Sequence, residues 1–137
     1  MAYEGPAVMA PGLVAGAGLT ADAVQFKFVT LSADRTVVLV SNVNQAPVGV
    51  LQAPVKATGD PVTVMALGVT KVRLAAASPA AGDIIGADGD GQAASLSIPA
   101  ATSYQAGRLI EANAAGAVDS GVIGTALISC LAPARAA

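Results

Sequence analysis

Residues 59–74, GDPVTVMALGVTKVRL, are the part of the sequence that decides the fold class. The opening Gly-Asp-Pro is typical of a turn. After it, Val62–Val64 alternates apolar and polar side chains, Gly68 interrupts the pattern, and Val69–Leu74 alternates again. Because successive side chains of a β-strand point to opposite faces, this alternation predicts two short strands, the second with its two basic residues in solvent.

The same signals recur at short intervals along the chain. Further strands are expected at Val24–Phe28, Thr36–Ser41, Val48–Leu51, Ala94–Ile98, Arg108–Ala112 and Val122–Leu131. Gly, Pro and Asn separate them, and the Gly- and Asp-rich segment 82–91 is expected to form turns. Little helix is expected beyond one or two turns near Ala75–Ala81 or Ala112–Val118. The chain is therefore predicted to be mainly β, a small barrel- or sandwich-like body of seven to eight short strands with an extended N-terminal arm.

The arm is assigned to residues 1–22 and the β-rich body to residues 23–137. The N-terminal segment is rich in Gly, Ala and Pro and shows neither the helical nor the strand period, so no packed element is expected there. Its large apolar side chains have no periodic partner within the arm, and we expect another chain to bury them: Tyr3, Val8, Met9 and Leu13. The body is expected to fold without residues 2–21.

The composition excludes most catalytic and cofactor sites. The chain of 137 residues has no histidine, which rules out the Ser-His-Asp triad and imidazole metal sites. Nothing in the sequence brings acidic residues together for acid–base chemistry. The single cysteine, Cys130, lies in an apolar run and is expected to be a buried, inert thiol. We therefore expect a protein that is not an enzyme and has no catalytic residue, cofactor or bound metal.

Charge and hydropathy argue against nucleic-acid and membrane partners. The seven basic residues are scattered, and the aromatic residues are two Tyr and two Phe, so neither a basic stripe nor a base-stacking platform is expected. The longest charge-free window, Thr36–Val55, contains Asn, Gln and Pro, which are unfavourable inside a bilayer. The first residues lack the basic start and apolar run of a signal peptide.

Two short motifs have functional and structural interpretations. Gly16–Ala21 matches the dinucleotide-binding pattern G-x-G-x-x-A, but the expected context of a preceding strand and a following helix is missing. Asp83, Asp88 and Asp90 could offer oxygens to Ca²⁺. An EF-hand loop starting at Asp88 fails, because alanine and proline stand where the glycine and the glutamate belong. A turn is the favoured reading of these aspartates, and a different cation site stays open.

The low charge is the most useful indication of function. Only 12% of residues are charged, against roughly 25% in a typical soluble domain. One explanation is that neighbouring subunits or a larger lattice cover much of the surface. The other is an alanine-biased genome. Both remain open at this point.

A series of segments between Val37 and Leu131 carries a resemblance to a known family. In chain order they are VVLV at 37–40, APVGVLQAP at 46–54, GDPVTV at 59–64, GVTKV at 68–72, AGD at 81–83 and DGDGQA at 88–93. They resemble the small head-decoration, or capsid cement, proteins of tailed bacteriophages, which typically carry G-V-x-x-x-P, G-V-x-x-V and A-G-D in that order. The closing segment 107–112 matches only loosely.

The resemblance implies a β-rich structural virion protein on the outer capsid surface. Such proteins are commonly trimers, and they stabilise the lattice of major capsid subunits. The expected partners are therefore the major capsid protein and further copies of this chain, and no catalytic residue is implied. The alternative is a β-rich binding module, such as a phage fibre or carbohydrate-recognition domain, which would need an aromatic platform or a metal site.

Overall fold

The computed structural model describes residues 7–76, 79–96, 104–112, 122–130 and 134–135. Within these ranges the chain is mainly β, which confirms the predicted class, and the helical content is one 3₁₀ turn at Asp22–Val24. The strands are β1 (Ala7–Ala10), β2 (Val14–Ala15), β3 (Phe28–Ala33), β4 (Thr36–Leu39), β5 (Gly49–Leu51), β6 (Val64–Arg73), β7 (Ile84–Ala87), β8 (Ala93–Ser95), β9 (Tyr104–Gln105), β10 (Gly107–Glu111), β11 (Ile123–Ser129) and β12 (Ala134–Arg135). No helix in these ranges has the length and apolar character needed to span a membrane.

Ten of the strands form one open sheet. Its order is β2-β4-β3-β5-β6-β11-β10-β7-β8, with β1 attached to β6, while β9 and β12 form a separate pair. Strand β6 lies in the middle of this sheet and is strongly curved. Its first residue, Val64, pairs with Leu51, whose carbonyl accepts from the N–H of Phe26 at 2.8 Å. The N–H of Arg73, at the other end of β6, donates to the Phe26 carbonyl at 2.9 Å. Both ends of β6 therefore meet the same turn, which makes the body sandwich-like.

Three strands form a wall between two hydrophobic cores. The first core contains Phe28, Val40, Val50, Met65, Val72, Leu74, Ile85, Ala87, Ala93, Ala106, Leu109, Ala126, Ile128 and Cys130. The second contains Ala15, Leu19, Val24, Val29, Val37, Leu51, Val55 and Val64. Neighbouring residues of β3, β5 and β6 enter different cores, for example Phe28 and Val29. Because adjacent side chains of a strand point to opposite faces, these three strands are buried on both sides at these positions.

The few buried polar side chains of the described residues are hydrogen-bonded. Thr70 is fully buried, and its hydroxyl accepts from Nε2 of Gln52 at 3.0 Å. The same Nε2 lies 3.0 Å from the carbonyl oxygen of Val50. Within the described residues no buried side-chain nitrogen or oxygen lacks a hydrogen-bond partner. This agrees with the high cost of an unpaired polar group in a core.

The prediction of a strand at Val24–Phe28 is wrong. Val24 lies in the 3₁₀ turn, Phe26 has a φ of 66°, and the strand begins only at Phe28. A φ in this left-handed region interrupts an extended strand. The alternation in the sequence arises because Val24 is buried in the second core and Phe28 in the first.

Other strand boundaries also differ from the prediction. The two strands expected on either side of Gly68 are one strand, and Gly68, with a φ of 136°, pairs with β1 and with β11. The segment 82–91 contains β7 between its turns, and the short pair β9 and β12 is not predicted. The helical turn expected at Ala75–Ala81 is absent from its described residues, and residues 113–118 of the other lie outside the described ranges.

The N-terminal segment is extended, but its described part is packed against the body. β1 pairs with β6, β2 pairs in parallel with β4, and Leu19 is fully buried in the second core. The expectation that this segment holds no packed element is therefore wrong for these residues. The strands are four and two residues long, too short to show a period in the sequence. The division into an arm of residues 1–22 and a body of residues 23–137 stays a prediction.

Candidate interaction surface

One face of the sheet presents apolar side chains to solvent. Val8 of β1 lies opposite Leu67 of β6, which in turn lies opposite Ser129 of β11. One step along, Leu127 of β11 lies opposite Val69 of β6 on one side and opposite a residue of β10 on the other. Directly opposed residues of paired strands share a face. We call the surface formed by Val8, Leu67, Val69, Ile84, Arg108, Leu127 and Ser129 the outer face.

The exposed apolar residues are concentrated near this face. Among the described residues, the exposed large apolar side chains are Val8, Met9, Leu31, Val43, Ile110, Ile123 and Leu127. Five of these seven lie in β1, β10 or β11. The most exposed of the five are Leu127, at 49%, and Val8, at 48%. Clustered apolar residues on a surface mark an interaction site more often than scattered ones do.

Strand β1 is at an edge of the sheet as far as the structure describes it. Leu67 and Gly68 of β6 each have one partner in β1 and another in β11, so β1 and β11 lie on opposite sides of β6. No described strand pairs with the other side of β1. An edge strand offers N–H and C=O groups to another chain. Apolar side chains and an edge backbone are thus presented together.

A shallow cavity of about 320 Å³ opens on the outer face. Its lining residues come from β7, β9, β10 and β11: Ile84, Gln105, Gly107, Arg108, Leu127 and Ser129. Gly107 lies so close to β11 that a Cβ there would collide with the carbonyl oxygen of Leu127. Nη1 of Arg108 donates to the Gly82 carbonyl oxygen at 2.9 Å, which holds the guanidinium beside the cavity. Among the described lining residues, Arg108 is the charged one.

The interface residues predicted from the sequence have different positions. Tyr3 lies outside the described residues. Val8 and Met9 are exposed in β1, and Val8 is part of the outer face. Leu13 is half-buried and packs against the second core. Their burial by another chain stays a prediction.

The outer face contains residues that the sequence did not single out. The strand expected at Val122–Leu131 already placed Leu127 and Ser129 on one side by its period of two. Which side is covered by the core depends on the neighbouring strands. Arg108 joins the face through the pairing of β10 with β11, and Ile84 joins it through the pairing of β7 with β10, which connects segments 24 residues apart.

The two motifs with alternative interpretations both have structural roles. The N–H of Gly16 donates to the carbonyl of Val37 at 2.7 Å, and a single 3₁₀ turn follows the motif in place of a long helix. Oδ1 of Asp88 accepts from the N–H groups of Asp90, at 2.9 Å, and Gln92, at 2.8 Å. These contacts are typical of a turn.

The other acidic and thiol groups of the described residues form no metal site. Oδ2 of Asp83 accepts from the N–H of Ala80 at 2.9 Å, which again stabilises a turn. Over the described ranges, no group of three His, Cys, Asp or Glu side chains is placed to hold a metal ion. Cys130 is buried in the first core, as predicted, and loss of solvation raises the pKa of its thiol to about 12. The thiol is therefore neutral at physiological pH.

Comparison with known proteins gives no family assignment. No family model matches the chain, and a search of curated proteins finds no match.

Proposed function

We propose that the protein is a structural component of a tailed-bacteriophage virion. It binds the outer surface of the capsid and stabilises the lattice of major capsid subunits, and it acts as a homo-oligomer, expected to be a trimer. The observation that carries this proposal is the outer face, an exposed apolar surface beside the edge strand β1. The order of segments that resembles capsid cement proteins supports the same function.

The physical properties of the surface suit permanent attachment to a shell. The 16 charged residues, 7 basic and 9 acidic, are distributed over an accessible surface of 6564 Å². Burial of apolar area contributes roughly 25 cal/mol per Å², so a face of this kind gains free energy when a neighbour covers it. If several copies in one oligomer bind the same shell, effective concentration increases the total affinity without new contacts. Binding only to the assembled lattice then stabilises that lattice by mass action.

The test is the thermal release of DNA from phage particles with and without the protein. We expect particles with the protein to release DNA at a higher temperature. Moderate salt should change this little, because an apolar attachment is weakly screened. Equal release temperatures would contradict the cement function. Release of the protein by moderate salt alone would contradict an apolar attachment.

A matched pair of variants tests the role of the outer face. Val8→Lys places a charge on the outer face, whereas Val43→Lys changes an exposed valine that lies elsewhere. We expect Val8→Lys to lower occupancy on particles about tenfold and Val43→Lys to leave it unchanged, with circular dichroism confirming that both fold. Equal occupancy of the two variants would contradict the role of the face. Binding to a glycan array without binding to shells would support the alternative of a β-rich binding module.

A further inference from the structure

The cavity on the outer face combines two apolar walls with one positively charged group. We propose that it anchors an extended segment of a protein partner, and that this segment carries an aliphatic side chain next to a carboxylate. The inference deepens the proposed function and rests on it where the partner is identified with the major capsid protein. The chemistry of the bound segment follows from the cavity itself.

The apolar part of the site comes from the strand register. Arg108 of β10 lies directly between Ile84 of β7 and Leu127 of β11. Paired strands are about 4.8 Å apart, so the two aliphatic side chains flank the stem of the arginine. Leu127 is 49% exposed, which leaves area to be covered. An aliphatic side chain of a partner would cover this wall.

The charge of the site selects an acidic partner. The guanidinium of Arg108 has five N–H donors, and the bond from Nη1 to the Gly82 carbonyl oxygen engages one of them. None of the described residues that line the cavity is acidic. A carboxylate complements a guanidinium and is often bound through two parallel hydrogen bonds. A phosphate group would also bind arginine, but the described lining gives it no second cation, and the apolar side chains offer it no hydrogen-bond donor.

The size and the polar atoms of the cavity fit a peptide segment. A volume of about 320 Å³ is at the lower end of the range for ligand sites, so the cavity accommodates a side chain more readily than a cofactor. The side chains of Gln105 and Ser129 add an amide and a hydroxyl to the lining. These groups can bond the N–H and C=O groups of an extended chain. The partner is therefore a strand-like segment and not a free metabolite.

Short peptides test the chemistry without the shell. The probes are acetyl-Gly-Leu-Glu-Gly-amide and the same peptide with Gln or Lys in place of Glu, titrated into the full chain and followed by amide chemical shifts. We expect the Glu peptide to shift the amides at Ile84, Gln105–Arg108 and Leu127–Ser129, with an affinity at least threefold above the Gln peptide. The Lys peptide should bind most weakly. Shifts of equal size with all three peptides, or shifts confined to other residues, would overturn the inference.

Two matched pairs of variants separate the charge from the apolar wall. Arg108→Gln removes the guanidinium, and Lys56→Gln removes an exposed charge in a loop. Leu127→Ala shortens an apolar side chain that lines the cavity. Its control, Leu31→Ala, shortens a leucine of nearly the same exposure, 50%, that does not line the cavity. Arg108→Gln should abolish the preference for the Glu peptide, and Leu127→Ala should weaken every peptide. Lys56→Gln and Leu31→Ala should behave as the unchanged protein does.

Binding to shells distinguishes this inference from the proposed function. We expect Arg108→Gln and Leu127→Ala each to weaken sedimentation with capsid shells about tenfold relative to their controls. If the unchanged protein and both variants bind shells equally well, the cavity inference fails and the proposed function stands. If the unchanged protein does not bind shells but keeps its preference for the Glu peptide, the proposed function fails and the cavity chemistry stands.

Discussion

The substitution Leu19→Ala tests whether the N-terminal segment is part of the folded body. Leu19 lies within residues 1–22, and its side chain is fully buried in the second core. Replacing a buried leucine by alanine costs about 2–5 kcal/mol, because the transfer free energy is lost and a cavity remains. A domain of this size has a free energy of unfolding of roughly 5–15 kcal/mol, so the loss is a large fraction of the total.

The assay is urea unfolding followed by far-UV circular dichroism. With an m-value of about 2 kcal/mol per M, the Leu19→Ala midpoint should fall by about 1–2.5 M while m stays unchanged. The control is Leu31→Ala, a leucine that is 50% exposed, for which we expect a loss below about 0.5 kcal/mol. The half-buried Leu13, replaced by alanine, should give an intermediate loss of about 1 kcal/mol.

The reasoning would be refuted if Leu19→Ala cost no more than Leu31→Ala. That result would mean that residues 1–22 are not packed against the body in solution. A deletion of residues 2–21 tests the same packing of the N-terminal segment. Such a deletion removes β1, β2 and the buried Leu19 and Ala15. It should therefore strongly destabilise the body, contrary to the expectation from the sequence.

The remaining predictions concern Thr70, Gly107 and Cys130. Thr70→Val should lower the free energy of unfolding by about 1 kcal/mol, because the Gln52 amide loses its buried hydroxyl partner. Urea unfolding measures this loss, and an unchanged free energy of unfolding would contradict the role of the pair. Gly107→Ala should lower the free energy of unfolding by about 1–3 kcal/mol, because the added Cβ would collide with the backbone of β11. The control Gly89→Ala should be nearly neutral, because the nearest atom to its added Cβ is 3.7 Å away. Equal losses for the two variants would refute the close approach of Gly107 to β11. The Cys130 thiol should resist iodoacetamide at pH 8 in the folded protein and react once the chain is unfolded. The pKa of this thiol is about 12 in the folded protein, above the ordinary 9.0, so the unfolded state loses the proton first. The free energy of unfolding should therefore fall as the pH rises from 9 towards 12. A Cys130→Ala variant should lose this part of the pH dependence.

The sequence by itself determined the mainly β class and the position of several strands. Thr36–Leu39, Gly49–Leu51 and Ile123–Ser129 all fall within predicted strands. These strands are predictable because a period of two and flanking turn residues are local properties of the chain. The buried state of Cys130 follows in the same way from its apolar neighbours.

Only the tertiary structure decided where the N-terminal segment lies and which surface is exposed. Val24 and Phe28 look like one strand face in the sequence, yet they are buried in two different cores. The short strands β1 and β2 have no period of their own, and they form because β6 and β4 offer them backbone partners. The cavity likewise exists only because the register sets Arg108 between Ile84 and Leu127. Pairing between segments distant in the chain depends on the whole sheet, and no local pattern records it.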